Sequence, residues 1–219
     1  MLYSNSRKLY LSGWLQKNSP DEYKRGLKLQ FFLFFYEVFS FVEEGMADFS
    51  DLQGYQNGPA FSTVLRDYTK DRYLFDNEIE ITLQNHENEI NLNRAKKSAM
   101  IVRTASETEL SALTHKLNIW NSQKGRIDAG EKQVNLNVKD FSEEDKKLIL
   151  LLDGMYTPES YDNNRVITIN QKYFILNNTD YGRMQPWDWD TLYMLSLSNN
   201  DLMNPVYVSI NSEGVIEVG

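Results

Sequence analysis

The 219-residue chain carries few groups with which to do chemistry: two histidines, no cysteine, and carboxylates that cluster only as near neighbours in sequence. His86 and His115 lie far from metal-ligand spacing, and no HExxH pair occurs. Nor does a GxSxG elbow, a Walker loop or a GxGxxG turn. A lone histidine in a helix reads as a hydrogen-bonded structural residue. For His115 the competing role is acid–base catalysis from a cleft with nearby carboxylates. Acids adjoin at Glu43-Glu44, at Glu143-Glu144-Asp145 and at Asp188/Asp190. Glycoside hydrolysis needs two carboxylates facing each other across a cleft, which sequence neighbours on one helix do not do. Acids 143–145 read instead as first-turn residues that complement a helix dipole. Trp187-Asp188-Trp189 is the most pointed aromatic cluster. On a helix its two rings stand about 200° apart and cannot share one buried stripe, so either both pack at a helix–sheet seam or one is exposed as a partner contact. No catalytic, cofactor-binding or metal-binding residue is expected.

Composition narrows the classes further. Absent cysteine removes disulfides, thiolate nucleophiles and cysteine-based zinc sites, and fits a reducing compartment. The net charge of −8 and the scatter of Lys and Arg argue against nucleic-acid binding, which rests on clustered cations. An acidic surface steers a basic or neutral protein partner inward. The most apolar stretch, Phe31 to Glu44, falls short of the ~20 residues of a membrane span and is interrupted by Glu37. The start of the chain lacks a secretory pattern. A cytoplasmic protein without a membrane association is expected.

The elements that must position these residues divide into two textures. Residues 1–156 read as a mainly helical domain. Ser6–Gln16 forms an amphipathic helix, ended by Asn18-Ser-Pro-Asp21. Residues 26–44 form a helix apolar nearly all round, the buried centre of a bundle, ended by Gly45. The Phe run at 31, 32, 34, 35, 39 and 41 belongs to that core. Ser62–Tyr73 forms a further helix, entered through Asn57-Gly-Pro59. The polar stretch 76–100 fits helix, loop or a mixture of both. Within Thr104–Trp120, Ser106 and Glu109 make a capping arrangement, and Ser142 caps a helix continuing through Leu152. Residues 157–219 read as a small α+β appendage. It comprises a hairpin turning at Asn170-Gln171, a helix from Pro186, and a hairpin with Gly214 at its turn, forming one small antiparallel sheet against the helical part. The fold class is α+β, an N-terminal helical bundle followed by two hairpins and a short helix.

Three segments, in this order, resemble the Panacea domain, a phage-associated antitoxin family. Leu27-Lys-Leu29-Gln30 leading into Phe31-Phe-Leu-Phe-Phe-Tyr36 is similar to that family's opening LKLQKLLYYAQ, with Phe31 standing where the family has Lys. Tyr55-Gln-Asn-Gly58-Pro59, with Val64 and Tyr68 following, resembles W-x-Y-G-P-V…Y with one extra residue. Leu110-Ser-Ala-Leu-Thr114-His115 with Trp120 resembles the closing L-x-x-x-T-H…W. The likeness covers roughly residues 5–122. It implies a rigid helical platform of bacterial or phage origin that neutralises a cognate toxin by direct stoichiometric contact. Occlusion would be the means, with delivery to a protease in some members. His115 and Trp120 would close the bundle, and the tail would be a second contact surface or a homodimer element. Two other readings stand beside it: a phage-encoded anti-defence inhibitor whose acidic surface mimics nucleic acid, and an enzyme built around His115.

Overall fold

The computed structural model describes residues 1–85, 90–197 and 202–219. The chain is α+β, with a helical body first and a sheet-bearing tail second. Its centre is the phenylalanine-rich helix Gly26–Glu44 (α3), in which every side chain from Lys28 to Ser40 is buried. A helix apolar on all sides needs neighbours on all sides, and α3 has them. Ser6–Asn18 (α1), Pro20–Tyr23 (α2), Ser62–Lys70 (α4), Leu92–Arg103 (α6), Glu107–His115 (α7) and Glu143–Met155 (α10) all pack on it. Arg72–Asn85 (α5) packs on α1. Phe31, Phe32, Phe34, Phe35 and Phe39 are at most 1% exposed, and each such ring contributes about 2 kcal/mol relative to exposure. Gly45 ends α3 at φ 69°, a left-handed cap open to glycine.

Local signals set the helix starts. Ser106 accepts from the Glu109 amide while Glu109 reaches back to Ser106, and Ser142 and Asp145 repeat the arrangement at α10. Other boundaries differ from the expected ones. The helix at Ser62 stops at Lys70, because Asp71 leaves helical geometry, and α5 starts afresh at Arg72. Of the stretch 76–100, residues 76–85 are the remainder of α5 and residues 92–100 belong to α6, capped by Asn91, while residues 86–89 lie outside the described ones. Thr104–Trp120 is two helices, α7 and Asn118–Asn121 (α8), and Lys124–Asp128 (α9) follows. Gly58-Pro59 does not lead directly into a helix. It lies in Gly58–Phe61 (β2), which pairs antiparallel with Leu52–Tyr55 (β1) across a two-residue turn at Gln56-Asn57. Val134–Asn135 (β3) joins on the far side of β1, so Pro59 sits on an edge strand, where a missing N–H is tolerated.

In the tail, Pro158–Asn163 (α11) leads into Asn164–Ile169 (β4) and Lys172–Asn177 (β5), a hairpin whose turn residues Asn170 and Gln171 have φ 48° and 65°. Both central residues being left-handed is the type I′ geometry that matches strand twist. After Asn178–Arg183 (α12) and Pro186–Leu197 (α13), Val206–Ile210 (β6) and Ile216–Val218 (β7) complete a four-stranded sheet in the order β4-β5-β6-β7. The sheet is mixed, not antiparallel, because β6 runs parallel to β5. The chain crosses over through α12 and α13 between those strands, as a parallel pair requires.

The sheet packs on both faces. Alternate residues of β5 point opposite ways. Ile175 joins the core of the helical body, whereas Phe174 and Leu176 join Leu192 of α13 with Ile167, Val206 and Val208 in a smaller second core. Body, sheet and α13 thus form successive layers.

Candidate functional site

The three motif segments, far apart in sequence, meet in one place. Gly58, at φ 125°, lies so close to α3 and α7 that an added Cβ would stand 2.9 Å from both Phe31 Cε1 and Thr114 Oγ1. Only glycine combines that backbone angle with that approach. Gln30 Oε1 accepts the Phe61 amide at 2.9 Å, which ties α3 to β2. The Trp120 indole donates to the Tyr55 carbonyl at 3.0 Å, and the His115 ring stacks on Trp120 with centroids 3.6 Å apart. Tyr68 donates to the Tyr23 carbonyl at 2.8 Å, and Leu29 and Pro59 are buried in the same body while Leu27 is half-buried at its edge. These residues build a scaffold.

His115 belongs to that scaffold by its contacts. It is half-buried, 3.4 Å from Ser111 Oγ, and burial against Trp120 lowers its pKa, with a hydrogen bond to the Gln56 backbone opposing. His86 lies outside the described residues. Among the described residues no group of three or more His, Cys, Asp or Glu side chains could hold a metal ion. The acidic pairs have structural partners. Glu43 and Glu44 both bind Arg94, at 2.7 and 2.9 Å. Asp145 caps its own helix and also accepts the Asn118 and Ile119 amides of α8, at 2.6 and 3.0 Å. Asp188 is buried and accepts the Gln185 amide at 2.7 Å. Asp190 is exposed.

Trp187 and Trp189 are both exposed, at 61% and 42%. Neither ring packs at the helix–sheet seam, because Asp188, Leu192 and Ser196 supply the inward stripe instead. Advancing 100° per residue, that stripe occupies less than a third of the helix circumference. The remaining arc carries Trp189, Tyr193 and Leu197 at successive four-residue steps, and Trp187 stands at its far edge, about 160° round from Trp189. Tyr193 and Leu197 are each 50% exposed. A helix this apolar normally has partners all round, yet among the described residues the core packs on one side of α13. Tyr193 and Leu197 escaped sequence reasoning, although their spacing from Trp189 was legible. What was not legible was which side the sheet would take.

Among the described residues no helix is long and apolar enough to cross a membrane. No protein-family model, curated protein or solved structure matches the chain.

Proposed function

We propose that this chain is an antitoxin-like inhibitor that neutralises a cognate toxin by stoichiometric binding, with the outer face of α13 as its contact surface. The observation that carries the reading is the exposed arc of Trp187, Trp189, Tyr193 and Leu197 on a helix seated firmly by its opposite side. Anchors at i, i+4 and i+8 are the pattern with which an amphipathic helix fills an apolar groove, and tryptophan and tyrosine are the residues that dominate binding energy at such contacts. Asp190 on the same arc and the net charge of −8 favour a partner whose groove is rimmed by basic side chains. The toxin class of that partner is drawn from the Panacea-like motifs, whose convergence around Gly58 makes them a single structural unit.

Co-expression with the product of the neighbouring open reading frame tests the reading. The wild type should restore growth and co-elute with that product at a fixed ratio. Trp187→Ala with Trp189→Ala should keep the fold and lose both effects, since two such anchors together contribute about 4 kcal/mol or more, roughly a thousandfold in affinity. Full rescue by the double variant would remove α13 from the contact. Absence of binding by the wild type would remove the antitoxin reading.

A further inference from the structure

A cavity of about 510 Å³ opens at the seam between the helical body and the four-stranded sheet. Its walls are α2, the start of α3, Arg103 at the end of α6, and strands β4 and β5. In an acidic protein this cavity is cationic, with Lys24, Arg25, Lys28 and Arg103 against Asp21 and Glu22. Lys24 and Asp21 pair with each other at the exposed lip, 3.3 Å apart. Three cations therefore face one carboxylate.

Lys28 is the least ordinary of them. Its side chain is only 1% exposed, and among the described residues no carboxylate lies within ion-pair distance of it. The ammonium donates one hydrogen bond, to the Val102 carbonyl at 2.7 Å, and stands 4.8 Å from the centre of the Tyr173 ring. An ammonium has three donors, so one carbonyl leaves it under-satisfied. Arg25 hydrogen-bonds Tyr173, and the Arg103 guanidinium lies 5.0 Å from the Tyr161 ring centre, so neither is neutralised. Glu22 alone cannot balance three cations. Burial raises its carboxyl above the usual range even though Lys28 and Arg103 pull the other way. Burial likewise lowers the Lys28 ammonium to about 8. Charges held at this cost without full compensation mark a place where a counter-charge is expected from outside.

The chemistry of the walls narrows the ligand. Guanidinium forks match phosphate oxygens bidentately, and three cations suit a dianion better than a monocarboxylate. The volume suits a small organic molecule and far exceeds a bare phosphate ion. Thr168 offers a hydroxyl and Tyr173 a ring beside it. We propose that this cavity binds a hydroxyl-bearing organic phosphate, a sugar phosphate or nucleotide, with Arg25 and Arg103 on the phosphate, the buried Lys28 ammonium adding its positive field from the wall, and Thr168 toward the hydroxyls.

Calorimetric titration of the full chain with ribose 5-phosphate, ribose and citrate tests this. Ribose 5-phosphate should bind, ribose should not, and citrate should bind more weakly. Each lost cation removes a charge-assisted hydrogen bond, so Arg25→Gln with Arg103→Gln should weaken binding by about a hundredfold or more. Lys124→Gln, an exposed change outside the cavity, should leave affinity unchanged. A ligand hundredfold above its dissociation constant should raise the melting temperature of the wild type by roughly 5 to 10 °C and that of the arginine variant hardly at all. The arginine side chains lie outside the core, so that variant keeps the fold, and Lys28→Met supplies an independent second loss. No heat with ribose 5-phosphate at millimolar concentration, equal affinity in the double variant, or tighter binding of citrate would each overturn the proposal. Loss of toxin binding with this site intact, or the reverse, keeps it separate from the role of α13.

Discussion

Glutamine in place of Glu37 is the most informative single change. Glu37 interrupts the phenylalanine run of α3, and its side chain is 0% exposed. Its two oxygens collect four donors: Arg7 Nε and Nη2 at 2.9 Å each, Lys8 Nζ at 2.5 Å and the Asp48 amide at 2.9 Å. Glu37→Gln keeps the shape, removes the charge and turns an amide NH₂ toward donors. Arg7, 30% exposed, can swing into water, but Lys8 at 2% cannot. Breaking a buried pair costs about 3–5 kcal/mol, because the remaining charge stays buried. Asp48 still lies 3.2 Å from Lys8, which places the cost near the lower end, about 3 kcal/mol. Equilibrium urea unfolding reads this directly: with a slope of ~2 kcal/mol/M the midpoint should fall by about 1.5 M. Lys8→Met combined with Glu37→Leu removes both charges, and it should return to within about 1 kcal/mol of the wild type. The reasoning fails if Glu37→Gln costs under about 1 kcal/mol, or if the apolar double variant is less stable than the single one.

Further outcomes follow from other sites. Gly58→Ala must force a side chain into φ 125° and against Phe31 and Thr114, so a loss of about 3 kcal/mol in chemical denaturation is expected; a loss below 1 kcal/mol would mean the three segments are not tightly joined. Lys28→Met should change the pH dependence of stability. The folded-state pKa of Lys28, about 8, lies below its ordinary value of 10.5, so between those values the unfolded chain binds more protons and wild-type stability rises with pH. Relative to Lys28→Met the wild type should gain about 3 kcal/mol across that window in phosphate-free buffer, and a flat difference would contradict the burial argument. Trp120→Phe removes the indole donor to the Tyr55 carbonyl, for a loss of about 1 kcal/mol in thermal unfolding that His115→Ala should not simply add to, since the two rings are stacked.

Much of this architecture could be read locally. Periodicity and capping placed α3, α10 and both tail hairpins, because each is determined by residues within a few positions: Gly45 at the end of α3, Ser142 with Asp145, Asn170-Gln171 at a tight turn. The β1–β2 hairpin was hidden, since its strands are four residues long and one contains proline. The parallel pairing of β5 with β6 depends on a crossover that no local pattern encodes. Asp67 shows the same limit in miniature. It is fully buried and accepts the Tyr3 and Ser4 amides across some sixty residues, and nothing near it in sequence announces that. For the surfaces, Trp187 and Trp189 stood out by type. The cationic cavity did not, because Arg25, Lys28 and Arg103 come together only when the end of α6 meets the start of α3 beneath β4 and β5.

The β4–β5 hairpin has a consequence for how these parts communicate. Val166, Thr168, Tyr173 and Ile175 look toward the helical body, while their neighbours Ile167, Phe174 and Leu176 look toward α13. This ribbon is a partition one residue thick, with Lys28 and the arginines against one side and the tryptophan-bearing helix against the other. Since successive side chains share a backbone, a shift of the ribbon cannot be confined to one compartment. An occupant of the inner chamber that displaced the ribbon would therefore also move the side chains on which α13 rests.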